Sequence, residues 1–276
     1  MKPKEGRMKE LLRERGLDGA IVSSPENFHY VTGFGGHQHT VSRQPGFTLA
    51  VMRSDDKAPT HITTMDFEAA TFRIKSAGLG FVVDPYDTWV GLKTWPEISQ
   101  GAALPDKARM ESSADKLEQF VKACDLADKR IGVEMDYLTV PYYNMIREKF
   151  PEARLVDISD LFVYARSIKT EEEIKMFREL CRIADHGFTQ VSRMAGIGVS
   201  EKEMSDCFRE DVIRSGFCVP SVWSMFSTGP SGARLTLPED GIVKDGDVVK
   251  FDAGVNAEFD FYTTDTSRAW IIGNGD

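Results

Sequence analysis

The sequence predicts an α/β domain over residues 1–161 followed by an α+β domain over residues 162–276, and three observations carry that reading. Short helical and strand patterns alternate through the first part, as in a layered α/β unit. Between Asp157 and Lys169 the pattern changes to long amphipathic helices. Beyond Gly216 the chain turns to segments rich in β-branched and aromatic residues, ending in what reads as a strand pair. A chain of 276 residues also exceeds the usual size of one domain, so two are expected.

The elements of the first part follow from local signals. Arg7 to Arg15 reads as a helix closed by Gly16, and Gly19 to Ser23 as a buried strand. Phe47 to Arg53, His61 to Thr64 and Gly80 to Val83 are further strands, with a helix near Phe67 to Lys75. Lys116 to Cys124 is helical, Ile131 to Glu134 is a short strand, and Tyr142 to Phe150 is a helix stopped by Pro151. The stretch from Tyr86 to Met110 has no clear period. Its Trp89 and Trp95 either anchor a loop or line a substrate entrance.

In the second part Thr170 and Glu173 form a capping-box pattern, and Ile174, Phe177, Cys181, Ala184, Phe188 and Val191 follow at steps of three and four. One long amphipathic helix results. Ser200 and Glu203 repeat the signature before a helix reaching Arg214 and ended by Gly216. Val248 to Val255 and Phe261 to Ile272 are then read as paired strands.

Composition narrows the partners. The net charge is −9, with acidic and basic residues interspersed, which argues against nucleic acid or an anionic membrane as the main partner. The charged start MKPKEGRMKELLRERG lacks the apolar core of a secretory signal, and no apolar run is long enough to span a bilayer. The four cysteines, Cys124, Cys181, Cys207 and Cys218, show no C-x-x-C spacing, which favours a reducing, cytoplasmic compartment. Cys181, on the apolar stripe, is expected to act as a small hydrophobe.

The candidate site lies in FDAGVNAEFDFYTTDTSRAW. A connection centred between Glu258 and Phe259 places Asp252 directly opposite Asp265. Cross-strand partners sit roughly 4.5 to 5.5 Å apart at Cβ, where like charges repel, and a divalent cation between them reverses the sign of that energy. Exposed edge aspartates are the competing reading. His37 and His39 would share a face of a strand and could suit a metal, but they have no acidic or Cys partner nearby and also fit a solvated loop. His29, between Phe28 and Tyr30, is a packing or capping residue. His61 and His186 carry no better signal.

The run GDVVKFDAG (Gly246 to Gly254) followed by FYTTDTSRA (Phe261 to Ala269) resembles the metal-binding hairpin of the pita-bread metallopeptidases, the group of Xaa-Pro aminopeptidases, prolidases, creatinase and methionine aminopeptidases. Gly6 to Tyr30, continuing into VTGF, resembles the start of the creatinase-type N-terminal domain, and Arg166 to Asp185 the entry to the catalytic domain. The resemblance implies that Asp252 and Asp265 are the first two ligands of a dinuclear site, with Asp265 bridging two divalent ions such as Mn, Co, Zn or Fe. Tyr262, Ser267 and Arg268 match a Tyr, a Thr and an Arg around the second ligand, although the two aspartates are spaced more widely than usual. The substrate implied is a short peptide or a related C-N compound, and the assembly a homodimer in which the N-terminal domain reaches the partner's catalytic region.

Two departures stand out. The family's remaining ligands, a histidine and two glutamates, lie beyond the aspartate pair, so the chain is expected to be a fragment with an incomplete pita-bread domain and little activity of its own. Leu235, within SGARLTLPED, falls where peptidases of the family carry a histidine that helps bind substrate. Three readings therefore stand: a metal-dependent Xaa-Pro peptidase, a creatinase-like member that has left peptide chemistry, and a metal-free binding module.

Overall fold

The computed structural model describes residues 3–88, 95–101, 111–257 and 260–274 and divides into two compact units, 1–168 and 169–276. In the first, a six-stranded mixed sheet has the order β4-β3-β2-β1-β5-β6. Its strands are β1 (Gly19–Val22), β2 (Leu49–Arg53), β3 (His61–Thr63), β4 (Val82–Val83), β5 (Arg130–Val133) and β6 (Arg154–Asp157). The pairs β1–β2 and β2–β3 are antiparallel, and the other three are parallel.

Side-chain alternation along the strands divides the core into two layers. Ala20, Val22, Ala50, Met52 and Ile62 pack with Leu12 of α1 (Glu5–Glu14), Phe28 of α2 (Pro25–Thr32) and Phe72, which belongs to a helix at Ala69–Ser76. Ile21, Leu49, Val51, Ile131 and Val133 pack on the other face with residues of the helices at Ser113–Ala123 and Val140–Lys149. Between α2 and these lie α3 (His37–Ser42), α4 (Ala69–Ser76) and α5 (Trp95–Ser99), so the last two helices are α6 and α7. Both sheet faces are covered, which is why the central strands read as continuous apolar runs.

The expected elements are present with ends shifted by a few residues, and α2, α3, α5, β6 and α8 (Ser159–Ser167) are additions. Pro25 sits in the first turn of α2, where its missing N–H costs nothing, and Ser24 caps that helix. The unit boundary falls after Ile168 rather than after Leu161. Leu161, Phe162 and Ala165 of α8 are buried in the first unit's core, so the helix that the sequence boundary would cut belongs to that unit. The two histidines of GGHQH lie on neither a strand nor a loop: α3 begins at His37, and two residues along a helix point to different faces. His39 is buried against Phe28, with Nε2 2.7 Å from the Ser23 carbonyl. His29 is buried in α2. Trp89 lies outside the described residues, and Trp95 is exposed.

In the second unit α9 (Glu171–Met194) and α10 (Glu201–Arg214) both start in complete capping boxes, at Thr170/Glu173 and Ser200/Glu203. The buried stripe of α9 is Leu180, Ile183, Ala184, Gly187, Phe188 and Val191. Cys181 is exposed, contrary to its expected place on that stripe, because the stripe runs through its neighbour Leu180. A Cβ on Gly187 would come within 2.7 Å of the Phe208 ring, so glycine there lets α9 and α10 approach closely. The strands are β7 (Cys218–Pro220), β8 (Met225–Thr228), β9 (Val248–Ala253), β10 (Val255–Ala257) and β11 (Thr266–Ile271), forming a sheet β11-β9-β8 and a pair β10-β7. Val249, Phe251 and Ala253 turn one face of β9 into an aromatic core, in which Phe251 meets Phe188, Phe226 and Trp270 at centroid distances of 6.2, 4.8 and 4.3 Å.

Candidate metal centre

Alternation on β9 places Lys250 and Asp252 on the face opposite Phe251. The partner strand is offset from the expected register: Ser267, not Asp265, stands opposite Asp252, and Thr266 stands opposite Ala253. The shift amounts to one full period of the pleat, so Asp265 remains on the same face as Asp252, as its diagonal neighbour. The connection on which the expected register was centred includes residues 258 and 259, outside the described residues.

The bend that brings the carboxylates together is built from Gly254. Here the chain passes from β9 to β10, and a side chain on Gly254 would run into the Thr264 carbonyl. Gly254 N–H donates to Ser221 Oγ at 3.0 Å and Ser221 N–H to the Gly254 carbonyl at 2.9 Å. Val255 N–H donates to Thr264 Oγ1 at 3.0 Å, while Thr264 N–H donates to the Val255 carbonyl at 2.9 Å. Residue 264 is thereby held on the segment that follows Asp252.

The electrostatics are those of two anions pressed together. Asp252 is half-buried and Asp265 exposed. Burial pushes the Asp252 carboxyl above its ordinary pKa, the Asp265 charge and a carboxyl–carboxyl hydrogen bond push the same way, and Lys250 opposes them. Two oxygen donors on one face suit a hard divalent cation. Among the described residues no group of three or more His, Cys, Asp or Glu side chains could hold a metal ion. The pair therefore fits as two carboxylate ligands, with no third ligand among the described residues.

The residues matched around Asp265 have defined partners. Tyr262 donates its hydroxyl to Glu173 Oε1 at 2.7 Å and meets the Phe177 ring edge-on at 5.3 Å. Arg268 reaches Asp185 at 3.1 Å, with its guanidinium 5.9 Å from the Phe188 ring centre. Ser267 is exposed opposite Asp252.

Leu235 is 80% exposed. Its neighbours Arg234 and Thr236 both bond Glu239, at 3.0 Å each, so no imidazole stands at this position. The loop is tied down by Glu201, a fully buried carboxylate that sequence patterns did not single out. Glu201 accepts from Thr228 N–H at 2.9 Å, from Ser231 Oγ and from Glu239 N–H at 2.7 Å. The first-turn acid of α10 was visible in the sequence, but its partners lie up to 38 residues away. A similar anchor in the first unit is Glu134, buried and accepting from Ser24 N–H at 3.0 Å and Asn27 Nδ2 at 2.6 Å.

Comparison with known proteins gives a consistent picture. Residues 6–168 match the creatinase/prolidase N-terminal domain and residues 175–276 match metallopeptidase family M24. An uncharacterized peptidase, YqhT, of Bacillus subtilis is 28% identical over 272 residues, covering 97% of this chain and 64% of the relative. A Xaa-Pro dipeptidase of Lactobacillus delbrueckii subsp. lactis is 23% identical over 270 residues, covering 97% of this chain and 65% of the relative. The solved structure of a Xaa-Pro dipeptidase from Bacillus anthracis has the same fold, with a TM-score of 0.75 at 21% identity over 98% of this chain and 64% of that one. The chain thus spans just under two thirds of the length of these relatives.

Proposed function

The chain belongs to the family that joins a creatinase/prolidase N-terminal domain to an M24 metallopeptidase domain, and from that premise we propose that it serves a metal-dependent peptidase of the Xaa-Pro type. The observation that carries this reading is the convergence of Asp252 and Asp265 on one face of the β9–β11 pair. Both are proposed as ligands of divalent metal, two ions in the full ligand set, with Mn, Co, Zn and Fe all compatible with carboxylate oxygens. When bound, such ions supply an activated water and a positive charge for the developing oxyanion. The chain's own contribution is to present the two carboxylates on one face, Asp252 from β9 and Asp265 from the residue before β11, with Lys250 on the same face of β9.

The substrate class proposed is a short peptide with proline after the scissile bond, by analogy with the dipeptidase relative. Leu235 supports a second reading, a non-peptidase member acting on a small C-N compound, because leucine cannot donate the hydrogen bond of the family histidine. Mn²⁺-loaded protein, assayed in the polypeptide as the cell makes it, should release free proline from Xaa-Pro dipeptides. Turnover of creatine without release of proline would favour the second reading.

Among the described residues no helix is long and apolar enough to cross a membrane. A cytoplasmic location is proposed on the further ground that all four cysteines are free. Neither nucleic acid nor a membrane is proposed as a partner.

A further inference from the structure

Asp265 immediately precedes β11, so its place depends on what holds residues 262–264. One side is held by β10: Ala257 N–H donates to the Tyr262 carbonyl at 2.8 Å, Thr263 Oγ1 donates to Asn256 Oδ1 at 2.6 Å, and Thr264 exchanges bonds with Val255. The other side is held from α9. Glu173 Oε2 accepts from Thr170 N–H at 2.7 Å and from Thr170 Oγ1 at 2.9 Å, closing the capping box. Its second oxygen accepts the Tyr262 hydroxyl at 2.7 Å.

The other capping box of this unit shows that capping alone does not require this arrangement. Glu203 makes the same pair of bonds to Ser200 and stays exposed. Glu173 is 3% exposed, and Phe177, one turn further along α9, fixes the Tyr262 ring edge-on. A buried carboxylate is costly unless its oxygens are satisfied, and the groups that satisfy Glu173 include the hydroxyl of the tyrosine three residues before Asp265.

Building on the metal reading above, we propose that Glu173 and Tyr262 are positioning residues for Asp265. Glu173, held by the start of α9, fixes through the Tyr262 hydroxyl the backbone from which Asp265 reaches Asp252, and so sets the spacing of the two carboxylates. Groups that orient metal ligands typically change metal affinity by roughly 10- to 100-fold when removed.

The test compares Co²⁺ affinity by calorimetry and urea stability in wild type, Tyr262→Phe and Thr170→Ala, with Asp252→Asn as the reference for loss of the site. Tyr262→Phe should weaken Co²⁺ binding at least tenfold. Thr170→Ala, which removes the cap hydroxyl but keeps the Glu173–Tyr262 bond, should lower stability and leave affinity unchanged. Wild-type affinity in Tyr262→Phe, or equal weakening in Thr170→Ala, overturns the proposal while leaving the metal reading intact. If Asp252→Asn does not alter Co²⁺ binding, the metal reading fails instead, and crystal structures of wild type and Tyr262→Phe decide the positioning role. A changed Asp252–Asp265 carboxylate separation sustains it, and an unchanged one overturns it.

Discussion

Asp265 lies diagonally across from Asp252 on one face of the β9–β11 pair, with Ser267 filling the directly opposed position. The wide sequence spacing of the two aspartates is thus absorbed without turning either carboxylate to the aromatic core, because the offset is one full pleat period. Burial and the neighbouring charge raise the Asp252 pKa, an energetic signature of a site that gains from a cation.

Gly254 should tolerate no side chain. A Cβ there meets the backbone carbonyl of Thr264, which cannot move without breaking the bonds to Val255. Gly254→Ala is expected to destabilise the second unit by about 3 kcal/mol, as overpacking against a rigid neighbour does. Urea unfolding measures it, and a loss below about 0.5 kcal/mol would show that the bend is not tight.

The Glu201 anchor should govern the loop that carries Leu235. Glu201→Ala leaves the Thr228 and Glu239 N–H groups and the Ser231 hydroxyl without their acceptor, a loss on the order of 3 kcal/mol. Limited proteolysis should then cut within residues 229–240 at a protease concentration that leaves wild type intact.

His39 gives the first unit a defined acid sensitivity. Burial lowers its pKa to about 4, outweighing the Ser23 carbonyl contact and the charge of Glu26, while Arg43 also lowers it. The unfolded chain, with an ordinary value near 6.5, binds the proton more readily, so stability falls as pH drops from about 6.5 to about 4 and levels off below. The contribution is about 3 kcal/mol. His39→Gln should remove this slope from the urea midpoint of the first unit, and an unchanged slope would assign the acid sensitivity to other groups.

Much of this was legible in the sequence, and the misses have physical causes. Continuous apolar runs mark β1 and β2, and periodicity marks α9 and α10, whose buried stripes are long and regular. It missed α2 and α3, whose six to eight residues give too little period to read. The place of Cys181 is not legible because cysteine and leucine are both apolar and adjacent, so the stripe can be drawn through either. The pairing expected for the aspartates differs from the observed one by one pleat, because a turn centre fixes register less tightly than the ladder hydrogen bonds do. Glu201 and Glu134 could not be recognised, since long-range partners make a buried carboxylate stable and leave no local pattern.

A homodimer is proposed as the assembly, on the family resemblance alone. Sedimentation of the protein in the form the cell makes should give a dimer whose stability rises with subunit concentration. A concentration-independent monomer would rule it out.

The central claim, that Asp252 and Asp265 bind divalent metal together, is tested most directly by Mn²⁺ titration followed by electron paramagnetic resonance of the free ion. The 276-residue chain should take up Mn²⁺ weakly, consistent with two carboxylates and no third ligand among the described residues. Asp252→Asn and Asp265→Asn should each abolish that uptake. Equal Mn²⁺ uptake by wild type and both variants would contradict the claim.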